Sequence, residues 1–200
     1  MNQLELAITR IIADLNASRR QWALIGGLAV SARTEPRTTR DVDVAVAVAD
    51  DAEAESLISE LMRAGYSVHA AVEQLETGRL ATMRLLPPGA ARTMAIVDLL
   101  FASSGIEVDL VGRATVLEIL PGLALPVATI GDLIALKVLS RDDDRRPQDA
   151  ADLRALIREA TEQDVALARA SAAAIGQRGF NRGRDLDAML EEVLHRFARA

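Results

Sequence analysis

The sequence predicts an α/β (α+β) fold in which a mixed β-sheet flanked by helices comes first and a block of helices follows. Short apolar segments, several of them alternating with polar residues, predict strands across the first part of the chain. From Thr129 onward the apolar residues recur instead at helical spacing. We therefore divide the chain into a core of residues 1–127 and a helical region of residues 128–200 that completes a cleft.

Turn and capping residues set the bounds of the individual elements. The acidic first turn of the segment 50–64 and the glycine that ends it are typical of an amphipathic helix. Pro87-Pro88-Gly89 predicts a hairpin between two strands, and PGLALP predicts a turn and an edge strand among short pieces at 106–127. The predicted helices are 2–18, one opened by Gly26-Gly27, 50–64, 130–140, 147–160, 162–175 and 184–198, and the predicted strands are 21–25, 41–48, 66–72, 79–86 and 93–101.

Composition excludes several classes of protein. The 200 residues are 50% apolar, yet no run of eighteen apolar residues occurs, so we expect no membrane-spanning helix. The N-terminal segment lacks the basic start and small-residue cleavage site of a signal peptide, which predicts a cytoplasmic protein. The absence of cysteine excludes disulfides, thiolate metal sites and cysteine nucleophiles, and two distant histidines make a histidine zinc site a poor hypothesis.

The charge distribution bears on partners. A net charge of −6 argues against binding to long DNA, because such binding requires many cations that neutralise phosphates. Five arginines nevertheless lie between Arg19 and Arg40, against the single acid Glu35. They form either a basic patch for a triphosphate or an RNA end, or simply solvated side chains around a loop.

The stretch from Trp22 to Asp43 carries the clearest functional pattern. An apolar run ends at Gly26-Gly27, where a missing side chain lets backbone N–H groups approach phosphates at a helix start. Asp41 and Asp43 follow one residue apart in a valine-rich strand, so both carboxylates project from one face about 7 Å apart. Two neighbouring anions suit Mg²⁺, which prefers oxygen ligands. The bland alternatives are a tight turn at the glycines and solvated aspartates on an exposed strand face.

This ordered pattern resembles the nucleotidyltransferase superfamily that includes DNA polymerase β. Its mark is Gly-Gly or Gly-Ser, a gap of about a dozen residues, and Asp-x-Asp or Asp-x-Glu. The resemblance implies a third carboxylate on a neighbouring strand, which Asp98 in AIVDLLF matches best. A charge in such an apolar segment is expensive unless an ion or a cation partner compensates it. The three aspartates are therefore the predicted metal ligands.

A second motif narrows the resemblance to the AbiEii-type nucleotidyltransferases, the toxins of many bacterial toxin–antitoxin pairs. In that family a helix with lysine and arginine precedes an Arg/Lys-Asp-x-x-Asp-Leu helix. Lys137 and Arg141 match the first part, and Asp149, Asp152 and Leu153 match the second. The resemblance implies that Lys137 and Arg141 bind the nucleotide and that Asp149 is an active-site carboxylate.

Two departures from the family pattern stand out. Gln148 occupies a position that is usually basic, and Gly27 one that is often serine. Lys137 is also the only lysine beside twenty-two arginines, which suggests a need for a compact point charge. The alternative is an ordinary surface lysine on an amphipathic helix.

The resemblance implies a metal-dependent transfer of a nucleoside monophosphate from a nucleoside triphosphate to an acceptor hydroxyl. Mg²⁺, or Mn²⁺, is expected as a two-ion site, with Gly26, Gly27, Arg40 and Lys137 at the phosphates. The expected acceptor is RNA such as tRNA, or a protein, and a cognate antitoxin is a possible partner. The alternatives are an aminoglycoside-type antibiotic adenylyltransferase and an inactive nucleotidyltransferase fold that serves as an antitoxin or interaction module.

Overall fold

A computed structural model describes residues 3–74, 77–89, 95–142 and 147–197. Its strands are β1 (Trp22–Ile25), β2 (Val42–Val46), β3 (Ser67–Glu73), β4 (Leu80–Leu86), β5 (Val97–Leu100), β6 (Thr115–Leu120) and β7 (Leu123–Val127). Its helices are α1 (Gln3–Ala17), α2 (Gly26–Arg33), α3 (Asp51–Arg63), α4 (Glu107–Arg113), α5 (Ile130–Ser140), α6 (Pro147–Glu159), α7 (Glu162–Gln177) and α8 (Leu186–Phe197).

The seven strands form one mixed sheet in the order β3-β4-β5-β2-β1-β7-β6. β2 runs parallel to β5 and antiparallel to β1, and β1 runs parallel to β7. The inner strands β1, β2 and β5 are almost entirely buried, which explains their continuous apolar sequences. This arrangement confirms the predicted class, a mixed sheet flanked by helices.

The helical block packs directly onto the sheet region. Helix α5 contacts α6, α7 and α8, and α2 contacts both α5 and α6. One apolar core extends from Ile11 in α1 through Val44 in β2 to Leu190 in α8. Strand β7 ends at Val127 and α5 begins at Ile130, while the core continues across this point, so the division into residues 1–127 and 128–200 stays a prediction. In the described part of the chain, no helix is both long enough and apolar enough to cross a membrane.

Most predicted elements lie within two residues of their observed bounds, but the segment 106–127 differs. Residues 107–113 form helix α4, whereas the sequence predicted only short pieces there. Strand β7, expected at a sheet edge, lies between β1 and β6, and β6 is the edge strand. Pro126 has no N–H to donate and is therefore an unusual residue in a strand with neighbours on both sides. Residues 93–94 of the predicted strand 93–101 lie outside the described residues, and β5 begins at Val97.

The expected hairpin between 79–86 and 93–101 is present as an antiparallel pairing of β4 with β5. Helix α5, in contrast, is not the amphipathic surface helix that the sequence suggested. Seven of its eleven residues are buried, because α5 lies beneath α6 and α7. Lys137 is therefore on a nearly buried helix, with 14% of its side chain exposed.

Candidate active site

A cavity of about 660 Å³ opens where the carboxyl end of β1 meets the helical block. Its size is within the range of small-molecule sites. The glycine pair and the three aspartates line it together with residues of α5 and α6. The charged side chains in its wall are Asp41, Asp43, Asp98 and Asp149, and Arg37, Arg84, Lys137 and Arg182.

Strand register brings two of the aspartates side by side. Asp43 on β2 lies directly opposite Asp98 on the parallel strand β5. Asp41 precedes β2 by one residue and faces the same cavity as Asp43, as the period of two predicts. Burial, and then the charges of Asp98 and Asp41, raise the pKa of Asp43 to about 6. A raised pKa with these causes marks a carboxylate that lacks a sufficient local cation.

The glycines allow the chain to approach Asp43 closely. Gly26 has φ +63, and a Cβ atom there would lie 2.0 Å from Oδ2 of Asp43. Any side chain at position 26 would therefore displace the carboxylate, so the glycine is required by contact as well as by backbone conformation. The backbone of Gly27, at the start of α2, hydrogen-bonds to Asp43. An N–H group at a helix start is thus already directed at an anion.

Asp98 has a protein partner. The guanidinium of Arg84 donates from Nε to Oδ1 at 2.8 Å and from a terminal nitrogen to Oδ2 at 2.6 Å. Arg84 lies opposite Asp98 on the antiparallel strand β4. Arg84 was not predicted from the sequence, although a charge in this apolar strand was expected to have a metal or another ion as its partner.

The three aspartates fit a divalent metal by their chemistry. They present only oxygen donors, and burial together with the charges of Asp98 and Asp41 raises the pKa of Asp43, which a bound cation would lower. Within the described residues, however, no three acidic or histidine side chains are grouped tightly enough to form a ready metal cage. The bidentate contact of Arg84 with Asp98 is consistent with this, since it engages both oxygens of the third ligand.

On the opposite wall, Lys137 lies between two buried carboxylates of α6. Its Nζ atom is 2.8 Å from Oδ1 of Asp149 and 2.8 Å from Oδ2 of Asp152. Asp149 lines the cavity, and its other oxygen, Oδ2, is buried without a hydrogen-bond partner. Asp152 does not line the cavity, and its two oxygens accept hydrogen bonds from Nε and a terminal nitrogen of Arg37 at 2.6 and 2.7 Å. The structure thus shows that Asp149 lines the cavity and Asp152 does not, which the sequence could not decide.

Two other predicted nucleotide ligands lie elsewhere. Arg40 is exposed and does not line the cavity, and Arg141 pairs with Glu192 of α8 at 3.2 Å. Their contact with a nucleotide stays a prediction. Conversely, Arg37 lines the cavity, and the sequence analysis counted it only among the basic residues of the loop. The signal that could have identified it is its position four residues before Asp41.

The loop after β5 completes the wall through Ser103 and Ser104. The buried Glu107, in the first turn of α4, accepts hydrogen bonds from both serine N–H groups at 2.9 and 2.7 Å. Arg182, between α7 and α8, reaches the same loop and contacts Ser103 at 3.4 Å. The unpredicted helix α4 therefore supports one side of the cavity.

The comparisons with known proteins agree with this geometry. Residues 10–199 match the family model described as nucleotidyl transferase AbiEii toxin, type IV TA system. No curated protein matches the chain significantly in sequence.

Two solved structures share the fold. An antigenic nucleotidyltransferase-like protein from Paracoccidioides brasiliensis is 19% identical with a TM-score of 0.55, over 94% of this chain and 92% of that one. ANT(2″)-Ia in complex with adenylyl-2″-tobramycin is 13% identical with a TM-score of 0.50, over 98% and 99% of the two chains.

Proposed function

Because this chain belongs to the AbiEii family of nucleotidyltransferases, we propose that it is a metal-dependent enzyme that transfers a nucleoside monophosphate from a nucleoside triphosphate to an acceptor hydroxyl. One observation carries the proposal. Asp41, Asp43, Asp98, the glycines at the start of α2 and Lys137 all line one cavity of nucleotide size. This arrangement supports the proposal, because carboxylate oxygens suit a metal and the N–H groups and the ammonium suit phosphate.

In this proposal, separate residues of the chain bind the phosphates, hold the metal and position Lys137. The N–H groups at the start of α2 and the cation of Lys137 bind the phosphates and stabilise the charge that develops on them. Asp41, Asp43 and Asp98 would hold Mg²⁺ or Mn²⁺, which neutralises charge on the attacking and leaving oxygens. Asp149 holds Lys137 in place through its Oδ1 atom.

The transfer is an in-line displacement at the α-phosphorus. The acceptor oxygen forms a bond to that phosphorus, the bond to the β-phosphate oxygen breaks, and pyrophosphate leaves with the electron pair. Asp98 takes the proton of the acceptor hydroxyl. Arg84 uses one lone pair on each Asp98 oxygen, and a carboxylate has further lone pairs to accept with.

The family description supports a toxin of a type IV toxin–antitoxin pair, and we propose RNA such as tRNA, or a protein, as the acceptor. Among the described residues the cavity wall carries four acidic and four basic side chains, so this part of it is not the uniformly acidic cleft that a cationic antibiotic would favour. The likeness to ANT(2″)-Ia is a likeness of fold and identifies no substrate.

The test is incorporation of α-³²P-labelled ATP, CTP, GTP and UTP, with Mg²⁺ or Mn²⁺, into bacterial total RNA, total protein and an aminoglycoside panel. We expect label in RNA or protein, and none with EDTA. The matched control is Asp43→Asn, which keeps the size of the side chain and removes one metal ligand. Label in the drug panel would replace the toxin proposal, and no label in any lane would favour the inactive module.

A further inference from the structure

We propose that Arg37 and Thr39 form a phosphate-binding pair that takes the place of the side chain absent at Gly27, and that Asp152 is the positioning residue for this pair. The ligand is the triphosphate chain of the nucleotide. The inference rests on the proposed function, and it assigns the end of the cavity that holds the phosphates.

There is no space for a side chain beside Gly27. A Cβ atom at position 27 would lie 2.7 Å from a terminal nitrogen of Arg37 and 2.9 Å from Oγ1 of Thr39. A serine there would therefore collide with both groups. The hydroxyl that such a serine would present at the start of α2 is supplied instead by Thr39, beside a guanidinium.

Arg37 is held by contacts with Asp152 and Thr38. Nε and one terminal nitrogen donate to the two oxygens of Asp152 at 2.6 and 2.7 Å, and the other terminal nitrogen donates to the carbonyl of Thr38 at 3.1 Å. Asp152 has a side-chain exposure of 1% and lies behind the cavity wall. The pair is bidentate and partly buried, so it restrains the guanidinium in one orientation.

Arg37 keeps N–H donors that its protein partners do not use. A guanidinium carries five N–H groups, and the contacts with Asp152 and Thr38 use three of them. Two N–H groups are left on a side chain that lines the cavity. Because Asp152 also forms an ion pair with Lys137, one buried carboxylate holds two cations of the cavity wall. Paired cations with free donors suit a polyphosphate.

The consequence is that position 27 and Arg37 are coupled. Gly27→Ser should weaken binding while Arg37 is present, because the new side chain displaces the guanidinium. In a background that carries both Arg37→Ala and Thr39→Ala, both colliding groups are removed, so the same serine has room and its hydroxyl can donate to a phosphate.

The experiment is calorimetric titration with Mg²⁺–tripolyphosphate, which does not depend on the base, and with the four nucleoside triphosphates and monophosphates. The proteins are wild type, Arg37→Ala, Gly27→Ser, the double variant Arg37→Ala/Thr39→Ala, and that double variant with Gly27→Ser added. Arg37→Ala should weaken triphosphate binding about 10- to 100-fold and leave monophosphate binding unchanged. Gly27→Ser should weaken binding in the wild-type background and strengthen it in the Arg37→Ala/Thr39→Ala background.

The matched control is Arg113→Ala. Arg113 also makes a two-pronged contact with a fully buried aspartate, Asp132, but does not line the cavity. Thermal melting reports the structural cost of each variant, and triphosphate binding by Arg113→Ala should equal wild type. The inference is overturned, and the proposed function is not, if Arg37→Ala binds triphosphate as tightly as wild type. The same holds if Gly27→Ser changes binding in the same direction in both backgrounds. Wild type that binds neither tripolyphosphate nor any triphosphate overturns the proposed function with it.

Discussion

Asp43 and Asp98 lie directly opposite one another on the adjacent parallel strands β2 and β5. Two residues separated by more than fifty positions in the chain are thereby brought to one wall of the cavity. Arg84 adjoins Asp98 on the next strand, so a cation compensates only one side of the pair. The first two predictions follow from this uneven distribution of charge.

The metal-free protein should be more stable at mildly acidic pH than at neutral pH. The pKa of Asp43 is raised in the folded state, to about 6, from 3.8 in an unfolded chain. Between these values the folded state binds more protons, so the contribution of Asp43 to the free energy of unfolding falls as the pH rises through this window. Thermal melting in EDTA from pH 4 to 8 measures it.

The control is Asp43→Asn, which cannot titrate. Its melting temperature should equal or exceed that of wild type at pH 7 and above, and the difference should shrink toward pH 4. A strongly destabilised Asp43→Asn at pH 7 would mean that Asp43 forms a structural ion pair instead.

Arg84→Met should increase the affinity for divalent metal. Arg84 neutralises Asp98 and repels an incoming cation, and its own pKa is raised by the hydrogen bond with Asp98. Removal of the guanidinium should strengthen Mn²⁺ binding on the order of tenfold, equivalent to roughly 1.4 kcal/mol. Electron paramagnetic resonance titration with Mn²⁺ measures this directly. The metal-free variant should melt lower, since three carboxylates then face one another without Arg84. Weaker Mn²⁺ binding would show that Arg84 orients Asp98 as a ligand.

Lys137→Met should destabilise the protein and abolish transfer. The ammonium lies between the buried Asp149 and Asp152, and removal of one partner of a buried ion pair costs about 3–5 kcal/mol. Lys137→Arg keeps the charge and tests the shape. Because a planar guanidinium does not fit as a point donor between two carboxylates, we expect transfer to fall roughly 10²- to 10³-fold. Urea unfolding and labelled nucleotide incorporation measure the two effects. Full activity of Lys137→Arg would contradict a point-charge role.

Glu107→Ala should loosen the loop that carries Ser103 and Ser104. One buried carboxylate oxygen accepts from both backbone N–H groups and from the hydroxyl of Ser104 at 2.9 Å. Loss of this acceptor should cost about 1–3 kcal/mol of unfolding free energy. Amide hydrogen exchange at the two serines should accelerate. Glu107→Gln retains an acceptor oxygen and serves as the matched variant, so equal losses for both substitutions would argue against this account.

The sequence by itself determined the features that depend on neighbours along the chain. Gly26-Gly27 at a strand end and the alternation of Asp41 with Asp43 are local patterns, because a strand has a period of two and a helix start needs little space. Asp98 could be recognised because a lone charge in an apolar strand requires a partner. The family resemblance also pointed to Asp98 as the third carboxylate, and it supplied Asp149 and the nucleotide role of Lys137, which composition had singled out as the only lysine.

Only the tertiary structure decided which cation meets which carboxylate. Arg37 and Asp152 are 115 positions apart, and nothing local in either segment indicates their contact. Arg84 meets Asp98 through strand register, and Lys137 is buried because α6 and α7 cover α5. An arginine side chain has the same local signature whether it is solvated or paired. Its partner is set by the packing of distant elements, which periodicity along the chain does not encode.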